Sequence, residues 1–566
     1  MSPSLSSVVV WVSALVAAGS CTPRAPLSTA QRGGGPPALA QAVAPAPRGA
    51  PRGELSWADF SPETFARAKA QRRLIILDGS AEWCHWCHVM EAETYHDPRV
   101  RALIEQHFIA VKVDVDARPD IEERYGDYGW PATVLFSADG QELGKFRGFL
   151  EADRFLEILR AAAAGAAEGD GATAAVATER EVPARSPLSR ELVDAIAHIV
   201  AVELEDYWDP RRGGWGVRQK APVGANNAWL LSRAARGDAE ARRRALFTLE
   251  QQAQLIDPVW GGIYQYSDSG TWDRPHYEKL MSYQAPALDN YARAYALTND
   301  PAHLARARAM HGYLDRFLKS PHGAFFGTQD ADLNAHDPGK PFVAGRDYYA
   351  LGQASRLALG VPRVDRHEYG EDSGQAIAAY VTYFEVTREP EVLAAAEKAA
   401  RRILETHADP RGGITHDLRK DGPAPEVLFL ADNAAFGLAL MRLFEATGRR
   451  EYLEPAIEIG RFMMTELAGD VSGGLYASTR DPAAVGVFAV RREPFEDNVR
   501  ALRFLLRLCA ASPQARAELA PRLPALVRSV TRPQVYKASG RFLGELLLAL
   551  DELRELRELS EVIELR

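Results

Sequence analysis

Cysteine is scarce in this chain, with four in 566 residues, too few for a disulfide scaffold. Basic residues are outnumbered, 67 against 76 acidic ones, for a net charge of −9. With no basic tract either, a nucleic-acid partner is excluded as an expectation. Beyond the N-terminal stretch, no apolar run is long enough to cross a bilayer. What is present is ordinary for a soluble globular protein: 46% hydrophobic and 25% charged residues. The length exceeds one ordinary core, so two or more domains are expected.

The few cysteines are placed informatively. Cys509 sits in the apolar run 501–509 and reads as a buried structural thiol. Cys21 follows Gly19-Ser20 after the short apolar run Val8 to Ala18. This reads as an export leader over residues 1–21. Small residues before a cysteine resemble the lipobox of bacterial lipoproteins, so Cys21 is a lipidation candidate and an exported, periplasmic or envelope location is expected. Cleavage after Ala38-Leu39-Ala40 is the alternative. Residues 22–53, rich in Pro, Ala and Gly, read as a disordered tether.

Cys84 and Cys87 lie within Trp83-Cys84-His85-Trp86-Cys87-His88-Val89-Met90, where an apolar strand meets a predicted helix. A helix N-terminus stabilises a thiolate, and this spacing allows a disulfide within one turn. The same letters spell a haem-attachment motif, Cys-x-x-Cys-His. A Cys2His2 zinc site is disfavoured, because four ligands on one helical turn cannot surround an ion.

The surroundings bear on the choice. A helix is predicted over 62–73 after the N-cap Ser61, and strands over 74–77, 108–115, 132–136 and 142–149, with a closing helix over 151–164. That order resembles the thioredoxin fold, here over residues 54–164. The resemblance implies that Asp78 is the buried aspartate assisting the second cysteine, and that Pro131 is the cis-proline facing the disulfide. Under this reading Cys84, expected to be the more exposed, attacks, and Cys87 resolves the mixed disulfide. An imidazolium at His85 or His88 favours the thiolate and predicts a couple more oxidising than thioredoxin. No cofactor beyond the Cys84–Cys87 disulfide and no metal is expected.

Residues 165–186 read as a linker. From 187 to 566 amphipathic helices recur in pairs, with connectors such as Gly213-Gly-Trp215, Gly261-Gly-Ile-Tyr264, Gly323-Ala-Phe-Phe326, Gly412-Gly-Ile-Thr415 and Gly473-Gly-Leu-Tyr476. A repeat of helical hairpins on this scale suits a closed (α/α)6 toroid. The whole chain is thus expected to join an α/β thioredoxin-like domain to an all-α toroid. The connectors carry polar candidates for a cleft: Asp273, His276, Glu278, Lys279, Asp330, Asp332, Asp432 and Asp497. If they converge at one mouth with Trp260, Trp272 and Tyr264, paired carboxylates beside aromatic platforms fit glycoside chemistry. Helix capping and loop-holding ion pairs are the structural alternatives.

Taken together, Cys84–Met90, Arg118-Pro-Asp-Ile121, Gly129-Trp-Pro131, Pro275-His-Tyr-Glu-Lys279, Gln329-Asp-Ala-Asp332 and the helix at Asp432 resemble the spermatogenesis-associated protein 20-like family. The resemblance implies the same two-part architecture, with redox and sugar-related roles both inferred for its members. Gln329 stands where the family commonly has glutamate. The N-terminal unit also looks like the C-terminal domain of the periplasmic thiol–disulfide interchange reductases. The leading expectation is a thiol–disulfide oxidoreductase whose toroid binds a protein client or glycan. A sugar hydrolase or epimerase and a non-enzymatic binding protein are the alternatives.

Overall fold

Strand β1, Leu74–Ser80, is buried along its whole length, as expected of a central strand covered on both faces. In the computed structural model, which describes residues 55–168, 188–337, 339–419, 426–470 and 472–555, it lies inside a four-stranded sheet. The sheet order is β2-β1-β3-β4, with β2 (Phe108–Asp114) parallel to β1, β3 (Ala132–Phe136) antiparallel to β1, and β4 (Glu142–Arg147) antiparallel to β3. Helix α1 (Pro62–Gln71) starts at Ser61, whose hydroxyl accepts from the Thr64 amide. Helix α2 (His85–Met90) is capped by Cys84, carries Cys87 and continues into a π-turn at Glu91–Tyr95. Asp97 and Pro98 then start α3 (Pro98–His107). Helices α4 (Pro119–Tyr125) and α5 (Ala152–Glu168) complete the unit, which is thioredoxin-like. The Trp130–Pro131 peptide is cis.

The expected leader, the tether, the lipidation candidate Cys21 and the 169–186 part of the linker lie outside the described residues. All described residues belong to one compact unit.

The remaining helices close a ring. The inner helices are Gly224–Ala235, Met281–Thr298, Gly370–Thr387, Leu430–Thr447, Phe495–Ala511 and Gly544–Glu555. Each packs on the next, and the last packs on the first. Outer helices such as Ala239–Gln252, Pro301–Tyr313, Pro390–Thr406 and Arg450–Glu466 back them, giving the (α/α)6 toroid. Its core is one continuous apolar cluster that includes Trp260, Trp272 and Tyr264. Those aromatics are therefore packing groups and not platforms in an open cleft, a correction to the expected convergence. Short antiparallel strand pairs also occur here, Tyr266–Ser267 with Pro275–His276 and Lys279–Leu280 with Thr328–Gln329, which helical periodicity alone did not predict.

The glycine-rich connectors have a specific reason. Gly261 and Gly262 sit at φ +72° and +74°, and a Cβ on Gly261 would meet the Ala309 carbonyl oxygen at 2.1 Å. An amide from the following inner helix then pins the turn. Gln284 accepts from the Ile263 amide at 2.7 Å and donates to its carbonyl at 2.6 Å. Asn433 does the same to Ile414 (2.9 and 3.1 Å) and Asn498 to Leu475 (2.6 and 2.8 Å).

Candidate functional site

The loop from β1 into α2 presents the disulfide. Cys84 is the N-cap of α2, and its sulfur accepts from the Cys87 amide at 3.1 Å. Cys84 and Cys87 are disulfide-bonded, with Cα atoms 5.3 Å apart. The β1–β3 register pairs Asp78 with Thr133 and Gly79 with Ala132, which sets Pro131 one step beyond, opposite Ser80. Gly79 leaves room for the Trp130 ring, since a Cβ there would lie 2.8 Å from it. Asp78 is buried, and burial pushes its carboxyl up to about 6 against the pull of Lys112.

Cys84 is not the more exposed residue of the pair: it is 3% exposed and Cys87 7%, and both share an apolar cluster with Leu280 of the toroid. The Ala331 amide donates to the Trp83 carbonyl at 3.3 Å. Glu278 Oε1 accepts from the His85 amide at 3.3 Å. Asp332 Oδ2 accepts from His85 Nδ1 at 2.7 Å and from His88 Nδ1 at 3.0 Å. Leu280 and Tyr283 join the apolar cluster around the cysteines. Periodicity along one chain carries no information on this docking.

The charges here are arranged in opposition. Burial works against the charged form of Asp332, but the hydrogen bonds from His85 and His88 outweigh it and hold the carboxyl below its usual range. For His85 burial likewise opposes the charge, and the Asp332 hydrogen bond raises it on balance. Burial pushes Glu278 and Asp330 up. Any imidazolium beside Cys84 is thus accompanied by carboxylate, which offsets part of its effect on the thiolate.

A second contact lies on the other flank. Trp83 Nε1 donates to Asp116 Oδ2 at 2.7 Å, and His416 Nε2 donates to the Asp116 carbonyl at 2.7 Å. His416 Nδ1 donates to Asp432, 3.0 Å from Oδ1 and 3.1 Å from Oδ2. With acceptors on both ring nitrogens, His416 is pushed up to about 9 although burial opposes it. The Tyr369 ring stacks on it at 4.3 Å. Phe488 packs against Phe60 and Phe136, and Arg492 pairs with Glu123 at 3.3 Å.

The expected cleft residues therefore separate. Glu278, Asp330 and Asp332 gather at the cysteine helix, and Asp432 reaches the thioredoxin-like unit through His416. Asp497 lies in the first turn of Phe495–Ala511, 3.8 Å from Arg500, which also pairs with Glu371 at 2.5 Å. Lys279 is fully buried on Asp257 at 2.8 Å. Asp273 is exposed. His276 pairs with Asp268 at 2.7 Å and stacks on Tyr266. Gln329 is structural, accepting from the Tyr313 hydroxyl at 2.9 Å. Sequence reasoning did not find Asp116, His336 or His416. Only His416 carried a signal, following the repeated Gly-Gly connector.

A family model described as Thioredox_DsbH, a protein of unknown function (DUF255), matches residues 39–153. Human spermatogenesis-associated protein 20 is 27% identical over 306 residues, covering 49% of this chain and 39% of that protein, so the match spans well under half of the relative. The thiol:disulfide interchange protein DsbD of Ralstonia nicotianae is 36% identical over 104 residues, 18% of this chain and 17% of that protein. Among solved structures, a D-mannose isomerase matches at 12% identity and a TM-score of 0.48, over 66% of this chain and 99% of that one. The thioredoxin-like unit is thus similar to the DsbH-type family and to part of DsbD, and about half of the chain is similar to part of spermatogenesis-associated protein 20.

Proposed function

We propose that this protein is a thiol–disulfide oxidoreductase working through Cys84 and Cys87. The observation that carries this reading is the Cys84 sulfur at the N-cap of α2, bonded to Cys87, with Asp78 buried on the adjoining strand and cis-Pro131 at the end of the neighbouring one. In the reducing direction, the Cys84 thiolate attacks one sulfur of a client disulfide and expels the other as a thiolate. Cys87 then gives up its proton, for which Asp78 is the buried base, and attacks the Cys84 sulfur. The client leaves with two electrons and the Cys84–Cys87 disulfide remains, to be reduced by an external dithiol. The oxidising direction is the same sequence reversed.

In this reading the toroid binds a client or glycan for the redox unit. Trp86, 40% exposed on α2, has Phe149 beside it and offers an apolar margin next to the covered cysteines. Sugar processing at Glu278, Asp330 and Asp332 has less support, since those carboxylates face the cysteine helix and its histidines.

Mixed-disulfide trapping tests the proposal. Cys87→Ala should accumulate a covalent adduct with a disulfide-bearing protein, and Cys84→Ser should not. If Cys87→Ala forms no adduct and the wild type reduces insulin no faster than Cys84→Ser, the proposal fails.

A further inference from the structure

Thiol–disulfide exchange makes no use of a donor cluster beside α2. His88 Nε2, His336 Nε2 and a carboxylate oxygen of Asp330 lie within 4.8 Å of one another. The two imidazole nitrogens are 3.2 Å apart. Asp330 Oδ2 is 3.4 Å from His336 and 3.9 Å from His88. The Glu82 carbonyl oxygen faces the same point, 3.1 Å from His88 Nε2 and 2.7 Å from His336 Nε2. Asp330 is 2% exposed, and its Oδ2 has no hydrogen-bond partner.

His88 Nδ1 donates to the Asp332 carboxylate, so in the neutral ring Nε2 presents a lone pair. That lone pair faces a carbonyl oxygen, a carboxylate oxygen and a second imidazole nitrogen. With His336 in the tautomer that leaves its Nε2 unprotonated, four electron-pair donors converge on one point; with the proton on Nε2, His336 instead donates to the Glu82 carbonyl oxygen at 2.7 Å. A carboxylate holding the far nitrogen of an imidazole is also how metal-ligating histidines are oriented. A tetrahedral ion with bonds of about 2.0–2.1 Å separates its ligand atoms by about 3.3 Å. The separations here, from 2.7 to 3.9 Å, bracket that value.

We propose that His88, His336 and Asp330, with the Glu82 carbonyl on the fourth side, bind a divalent transition-metal ion of the zinc class. Imidazole and carboxylate ligands suit such an ion. Two of the donors belong to the thioredoxin-like unit and two to the toroid, so the ion would join the two beside the disulfide. No sulfur takes part, which separates this site from a cysteine-bound zinc.

The test uses the full chain with its disulfide intact, stripped by a chelator and titrated with Zn2+ alone by calorimetry. Co2+ serves as the spectroscopic probe. The expected result is a single equivalent bound, with the visible bands of tetrahedral Co2+ and no thiolate charge-transfer band. His336→Ala, at an exposed position and checked for folding by circular dichroism, should lose on the order of 100-fold in affinity. Asp332→Asn, which removes only the orienting carboxylate, should lose about 10–100-fold. Absence of binding by the wild type, affinity unchanged in His336→Ala, or a charge-transfer band that vanishes in Cys84→Ser would each overturn the proposal.

Discussion

Glu278 and Lys279 are neighbours in one motif, yet they belong to different regions of the molecule. Lys279 points into the toroid, where its ammonium and the Arg356 guanidinium share Asp257 at 2.8 and 2.7 Å. The rings of Tyr264, Tyr313 and Tyr349 surround the ammonium at 4.4 to 5.2 Å. Burial still pulls Lys279 down to about 8. This is a closed set of charges, with two cations, one carboxylate and aromatic faces that attract the surplus positive charge. Glu278 points the other way, to the cysteine helix, and its Oε2 is buried with no hydrogen-bond partner. The inner region is matched for stability. The rim keeps carboxylates in excess, and its partners are histidines from the thioredoxin-like unit.

The largest effect should come from breaking the matched region. Lys279→Ala leaves Asp257 and Arg356 in an altered buried network, which should cost about 3–5 kcal/mol in chemical denaturation. A loss below about 1 kcal/mol would show that the network is not a closed set. Next in size is the pH dependence at the docking flank. His416 has a folded value of about 9 against 6.5 for the free imidazole, so its contribution is fully present below pH 6.5 and is lost as pH rises toward 9. The span corresponds to about 3 kcal/mol. Asp372, pushed up to about 8 by burial, acts in the same direction, so the quantity to measure is the difference between wild type and His416→Gln. That difference should shrink between pH 6.5 and 9, and a flat difference would remove His416 from the account. The smallest effect belongs to the rim. Glu278→Gln keeps an acceptor for the His85 amide and removes a carboxyl that burial already disfavours in its charged form. Its stability should stay within about 1 kcal/mol of wild type. At a pH where Glu278 is ionised, the substitution removes one negative charge near Cys84, so the thiolate is favoured, the disulfide becomes easier to reduce and the couple shifts in the oxidising direction by on the order of tens of millivolts against a glutathione buffer.

The sequence was most legible where structure is local. The strand ending at Asp78, the cysteine helix and the proline before β3 are set by short-range pattern, and the repeated glycines mark connectors whose positive φ only glycine adopts cheaply. The closed ring follows from the repeat. Docking was not legible. Nothing in the spacing of Cys84 and Cys87 shows that Ala331 and Asp332, some 250 positions away (247 between His85 and Asp332), lie across them. The two-residue strand Lys279–Leu280, with Glu278 just before it, is likewise too short a signal to show that Glu278 and Lys279 turn to opposite sides. Asn433 and Asn498 tie a helix to the turn before it, a role their place in the first helical turn does not announce.

Those ties have a mechanical consequence. Glu278, Asp330, His416 and Arg492 all lie in segments that lead into the inner helices, on the end of the ring where Gln284, Asn433 and Asn498 stitch turn to helix. A rim sewn down in this way behaves as a stiff collar and has few loose flaps to lift. On the function proposed above, access to Cys84 would be governed by how firmly the collar grips the redox unit as a body, and that grip would set the pace at which the sulfurs meet a client.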